Sequence, residues 1–166
     1  MRPWAFLAAA IAALLVTAGA EAASAKTVKD PRFDTSYLSR HGRVDITKAS
    51  AKRRLGTVRH SVTMRARVRP ARARETASIT INTRGGRRSA YELIVFRSTI
   101  FRVQSDGDRK AVGDAKLTVK RRTWRYRFDL DEVRGLGAGY GWAAVTQKRN
   151  GRFADVAPDG GYVKSP

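Results

Sequence analysis

The chain has 166 residues, with 34 Lys plus Arg against 14 Asp plus Glu, so its formal charge is +20 at neutral pH. A hydrophobic share of 42% is enough for one core and too high for a wholly disordered basic tail. There is no cysteine, which excludes disulfide frameworks, thiolate nucleophiles, zinc knuckles and iron–sulfur clusters.

Residues 1–25 open with Arg2, continue as an uncharged run from Trp4 to Ala20 and end in small residues. This is the pattern of a cleavable secretory signal peptide. Ala18-Gly19-Ala20, Ala20-Glu21-Ala22 and Ala23-Ser24-Ala25 each offer the small side chains that signal peptidase grips. The last is the expected site, with Lys26 first in the exported chain. The alternative, a membrane anchor, is disfavoured because the run falls short of the roughly 20 apolar residues that span a bilayer. Cleavage removes one base, Arg2, and one acid, Glu21, so the whole charge stays on the mature chain. Export without cysteine fits a bacterial secreted or cell-wall-associated protein better than a small eukaryotic module.

Residues 26–43 are polar, contain Pro31 and show no period, so an irregular lead-in covering an edge is expected there. Residues 44–166 are expected to form one domain. Val44 to Ser50 is a strand candidate, followed by a basic turn at Lys52-Arg53-Arg54. Thr57 to Arg69 then alternates without a break. Val58, His60, Val62, Met64, Ala66 and Val68 share one parity, and Arg59, Arg65, Arg67 and Arg69 share the other, the period-two pattern of a half-buried strand.

Ala77 to Asn82, Tyr91 to Phe96 and Thr99 to Val103 are further strand candidates, with turns at Gly85-Gly86, Arg97-Ser98 and Ser105-Asp106-Gly107-Asp108. Ala115, Leu117 and Val119 alternate with Lys116, Thr118 and Lys120. After Arg121-Arg122, the side chains Trp124, Tyr126, Phe128 and Leu130 alternate with Thr123, Arg125, Arg127 and Asp129. The one helical turn expected lies around Glu132-Val133-Arg134. Tyr140 to Gln147 and Phe153 to Pro158 complete the series. Roughly seven to nine short strands with turns rich in glycine and charge predict an all-β antiparallel sandwich, of jelly-roll or immunoglobulin-like type.

The ordered segments VDITKAS (44–50), TVRHSVTM (57–64), YELIVF (91–96), WRYRFDL (124–130), YGWAAVT (140–146) and DVAPDGG (155–161) resemble bacterial secreted β-sandwich domains of the DOMON and family 9 carbohydrate-binding-module group. The resemblance covers nearly the whole mature chain and implies a sandwich fold. Haem-binding members of that group use an axial methionine and histidine. The candidates here are Met64, His41 and His60, but His60 and Met64 lie about 13 Å apart along one strand, so His60 is expected in the core and no cofactor is expected. Sugar-binding members stack rings on exposed aromatics. Alternation sends most of Trp124, Tyr126, Tyr140 and Trp142 inward instead.

No G-x-S-x-G elbow, no H-E-x-x-H and no phosphate-cradling glycine loop before a helix is present, so no enzyme is expected. Asp106, Asp108 and Asp114 could offer oxygens to calcium, but Arg109 and Lys110 beside them favour an ordinary hairpin. The arginines are the informative residues. Arg59, Arg65, Arg67 and Arg69 line the outward side of one strand, Arg125 and Arg127 that of another, and Arg121 and Arg122 lead into it. Guanidinium groups pair bidentately with phosphate and carboxylate. The expected function is a non-catalytic module contacting an anionic polymer or glycan. The alternatives are a domain stacking neutral sugar, or a structural protein whose charge serves solubility.

Overall fold

The computed structural model describes residues 24–30, 44–67, 75–83, 92–104, 106–133, 136, 139–148, 153–159 and 161–166. The strands are β1 (Ser24–Lys29), β2 (Ile46–Arg54), β3 (Thr57–Met64), β4 (Glu75–Asn82), β5 (Glu92–Phe96) and β6 (Thr99–Val103), then β7 (Arg109–Asp114), β8 (Lys116–Lys120), β9 (Thr123–Asp129), β10 (Gly141–Lys148), β11 (Phe153–Ala157) and β12 (Val163–Lys164). The one helical element among the described residues is a 3₁₀ turn, Leu130–Glu132. The fold is all-β, in two antiparallel sheets. The first has the order β1-β2-β3-β9-β8, and the second β11-β10-β4-β5-β6-β7 with β12 beside β10.

The alternating side chains form the layer between the sheets. Val58, His60, Val62 and Met64 of β3 and Trp124, Tyr126 and Phe128 of β9 are buried against Ile79, Ile81, Leu93, Val95, Ile100 and Trp142 of the second sheet. Direct cross-strand neighbours on this inner face include Val58–Phe128, His60–Tyr126 and Val62–Trp124. Polar side chains tie the sheets together inside the same layer. The Tyr126 hydroxyl donates to the Ala77 carbonyl, the His60 Nε2 lies 2.8 Å from the Tyr140 hydroxyl, and Thr146 Oγ1 donates to the Val44 carbonyl at 3.0 Å. At the irregularity in β2 between Ile46 and Lys48, the Ile46 N–H donates to Asp155 Oδ2. The DVAPDGG ending thus supplies a structural carboxylate.

Several expectations are corrected. The segment from Lys26 is not irregular at its start: β1 adds six residues to the edge of the first sheet, so the sheet begins before residue 44. Its inward positions carry a single apolar side chain, Val28, because an edge strand buries little. Lys52, Arg53 and Arg54 belong to β2, and the turn falls at Leu55-Gly56. Both turn residues have positive φ, +48° and +76°, as a two-residue type I′ hairpin demands.

The strand expected from Thr57 to Arg69 ends at Met64. There the partner strand runs out at Thr123, the Met64 N–H turns to the Arg122 carbonyl, and the Arg65 N–H turns to the Asp45 carbonyl. Val68 and Arg69 lie outside the described residues, as do His41, Gly85-Gly86, Tyr91, Ser105 and Arg134. The exposed strand β7 had no signal in the sequence, and the strand segments outnumber the expected series.

Burial of Trp124 at 1% exposure makes Trp124→Ala a test of this packing. Equilibrium urea unfolding is expected to show a loss of about 3–5 kcal/mol, as for other large aromatic truncations. A loss below about 1 kcal/mol would contradict the arrangement.

Candidate anion-binding face

The outer surface of the first sheet follows from the same alternation. Lys52 pairs with Arg59, Arg59 with Arg127, and Arg127 with Lys116. These four residues stand directly opposite one another on β2, β3, β9 and β8, and all four are exposed. With strands about 4.8 Å apart, the row spans roughly 14 Å across the sheet. The next outward row is Thr27, Ser50, Ser61, Arg125 and Thr118, and the one after it is Lys29, Lys48, Thr63, Thr123 and Lys120. The acid closest to the first row in register is Asp129, opposite Thr57, whose hydroxyl it accepts.

Like charges directly opposite on neighbouring strands destabilise a sheet by roughly 0.2–1 kcal/mol per pair. Arg59 and Arg127 are such a pair, and Lys52 and Lys116 extend it on either side. No ion pair among the described residues relieves them. The one salt bridge seen there joins Arg65 to Asp45 at 3.4 Å.

The structure divides the expected arginines. Arg59, Arg125 and Arg127 share the outer face. Arg65 is half-buried and turns to the buried Asp45, so its charge is partly matched. Arg122 donates to the Arg65 carbonyl at 3.2 Å, which places both at the far end of β3. Arg121 occupies the β8–β9 turn with φ +54°, and Arg67 is exposed beyond the end of β3. Arg65 and Arg67 therefore do not continue the outward file of β3 from Arg59, and Arg69 lies outside the described residues. Lys52 and Lys116 extend the row instead, and neither was expected in the site. Lys116 already carried the outward parity of its strand, but its neighbour could not be known before the pairing order was.

At one end of the row the β2–β3 hairpin frames a hollow of about 390 Å³, lined by Lys52, Arg53, Arg54, Leu55, Thr57, Arg59 and Arg127. Arg53 is half-buried, and its Nε is buried without a hydrogen-bond partner. Beneath the sheet, His60 is fully buried among three rings. It stacks on Phe128 at 5.9 Å, meets Trp142 edge-on at 5.1 Å and is tilted against Tyr140.

His60 and Met64 do not fit the haem ligation that the resemblance implied. Both are fully buried, and the Tyr140 hydroxyl already occupies His60 Nε2. The four aromatics considered for sugar stacking, Trp124, Tyr126, Tyr140 and Trp142, are all buried. Among the described residues there is no cluster of three or more metal-ligating side chains, and no helix is long and apolar enough to cross a membrane.

No family model, curated protein or solved structure matches the chain.

Burial lowers the His60 pKa from 6.5 to about 3, so the ring is neutral in the folded protein. Its folded pKa lies below the unfolded one. The stability it contributes is therefore complete above about pH 6.5 and is lost as pH falls toward 3, by up to about 1.4 kcal/mol per pH unit. Melting temperatures recorded from pH 7 to pH 5 should fall, and His60→Gln should flatten that dependence. An unchanged slope in the variant would contradict it.

Proposed function

We propose that this protein is an exported, non-catalytic binding module that holds an anionic polymer of the cell envelope or its surroundings against the outer face of its first sheet. The observation that carries this reading is the row Lys52–Arg59–Arg127–Lys116. A sheet gains nothing by facing four cations at one another, whereas a linear polyanion laid across the strands neutralises all four and releases its own counterions. Ser50, Ser61 and Thr118 in the adjacent row add hydroxyl donors beside it. Among the described residues, the histidine, His60, faces the opposite side of the sheet from these hydroxyls and is sealed among rings. That separation supports binding over hydrolysis.

Kinship with the DOMON and family 9 carbohydrate-binding-module group belongs to this reading, as does the jelly-roll or immunoglobulin-like topology within the sandwich. The anionic partner replaces the haem and neutral sugar of that group, since His60, Met64, Trp124, Tyr126, Tyr140 and Trp142 are buried here.

Anisotropy of a labelled single-stranded oligonucleotide, used as a generic polyanion, tests the reading. Affinity is expected to fall steeply from 50 to 200 mM salt, with each removed cation lowering the log–log slope by about 0.7. Arg59→Gln with Arg127→Gln should weaken binding and flatten the slope by about 1.4. The melting temperature should stay level or rise, because a repulsive pair is removed. Binding indifferent to salt, or unaltered in the double variant, would leave solubility as the explanation of the charge.

Processing gives a second test. Export with cleavage after Ala20 or Ala22 keeps β1 whole, whereas cleavage after Ala25 removes Ser24 and Ala25, which pair with Arg53 and Lys52. The sequence pattern alone favours a Lys26 start, with Ala23 next; keeping β1 whole favours Ala23 or Glu21, and N-terminal sequencing of the exported chain decides between them. A Lys26 start would show that these two pairs are dispensable, and an intact Met1 start in the membrane fraction would overturn export with cleavage.

A further inference from the structure

The hollow under the β2–β3 hairpin differs in kind from the flat row beside it. Lys52, Arg53, Arg54, Arg59 and Arg127 all line it. Among the described residues, no carboxylate lines it. Asp129 stands just outside and is engaged by the Thr57 hydroxyl. Arg53 and Arg54 are consecutive on an extended strand, so one belongs to the inner face and the other to the outer. Arg53 pairs across the strand with the buried Val58, and its charge is felt at the buried Tyr140 hydroxyl, where it offsets part of the rise that burial causes.

The Arg53 Nε is buried without a hydrogen-bond partner. A guanidinium N–H buried without an acceptor is costly, and Arg53 is among the residues that line the hollow. A single carboxylate would match one of the five positive charges. A phosphate-type group carries two or more negative charges and several acceptor oxygens, and suits the planar fork of arginine. The hollow's volume falls within the ordinary range of small-ligand sites.

We propose that the hollow framed by Arg53, Arg54, Arg59, Arg127 and Lys52 is a binding site for a compact phosphate group, either the terminal phosphate of a polymer or a free phosphate ester. This rests on the outer face being an anion-binding surface and gives that face a direction: the row holds the chain, and the hollow holds its charged end.

The test titrates the full exported chain with inorganic pyrophosphate in a calorimeter. Saturable one-to-one binding is expected, weakened at least tenfold in the Arg53→Gln, Arg54→Gln double variant. Arg54→Gln alone, at an exposed position, should weaken it at least threefold and serves if the half-buried Arg53 proves necessary for folding. Oligonucleotides with and without a 5′-phosphate identify the source. At least threefold tighter binding of the phosphorylated strand assigns the hollow to a polymer end, and equal binding assigns it to a free phosphate ester. Absence of saturable pyrophosphate binding, or binding that Arg54→Gln leaves unchanged, overturns the site. Salt-dependent binding of the unphosphorylated strand would still uphold the polymer reading in that case. Pyrophosphate binding without any oligonucleotide binding would retain the site and remove the polymer.

Discussion

The antiparallel register of β3 on β9 is the constraint on which both faces of the first sheet depend. It sets Val58 against Phe128, His60 against Tyr126 and Val62 against Trp124 on the inside, and in the same step sets Arg59 against Arg127 and Ser61 against Arg125 on the outside. A slip of one residue would send three aromatic side chains into water and bring guanidinium groups into the core, at a cost far above the repulsion of facing charges. Core burial therefore holds the cations where they are. It accounts for their adjacency but not for their identity, since threonine at 59 and 127 would suit a pleated surface better. That surplus of charge over structural need is what the proposed function explains.

The second constraint is polar and joins the sheets. Each sheet leaves atoms pointing into the shared layer, and partners come from the opposite side: Tyr126 to Ala77, His60 to Tyr140, Thr146 to Val44, and Ile46 to Asp155. The last is the most telling. Where the β2–β3 ladder breaks step near Ile46, a carboxylate from β11 takes the freed N–H, and its other oxygen accepts the Val156 N–H at 3.0 Å. Such bonds orient the two layers relative to each other, which apolar contact alone does not. The layers so oriented place the inward Arg53 within electrostatic reach of Tyr140, next to the hollow that the outer cations line.

Strands with a buried face were legible in the sequence. Thr57 to Met64 and Thr123 to Asp129 announce themselves because each inward side chain must be apolar or aromatic to be buried, and the outward ones are free to be charged. The edge strands β1 and β7 were not. SAKTVK and RKAVGD are exposed along most of their length, so burial imposed no alternation on them. The same gap explains the overextension of β3. Ala66 and Val68 continue the parity, but a strand lasts only as long as its neighbours, and at Arg65 the chain turns to bond Asp45 instead.

By itself, the sequence determined the all-β class, the inward aromatics of β9 and the outward parity of Arg59, Arg125 and Arg127, because a two-residue period is a local property of an extended chain. Only the tertiary structure decided which of the many cations are neighbours. Lys52 and Lys116 are separated from Arg59 and Arg127 along the chain or by a turn, and cross-strand pairing brings the four into one row. It likewise withdrew Arg65 by giving it a buried carboxylate, and formed the hollow from the two sides of a hairpin. Parity is set by backbone geometry within a strand. Adjacency is set by the register between strands, which the whole core determines.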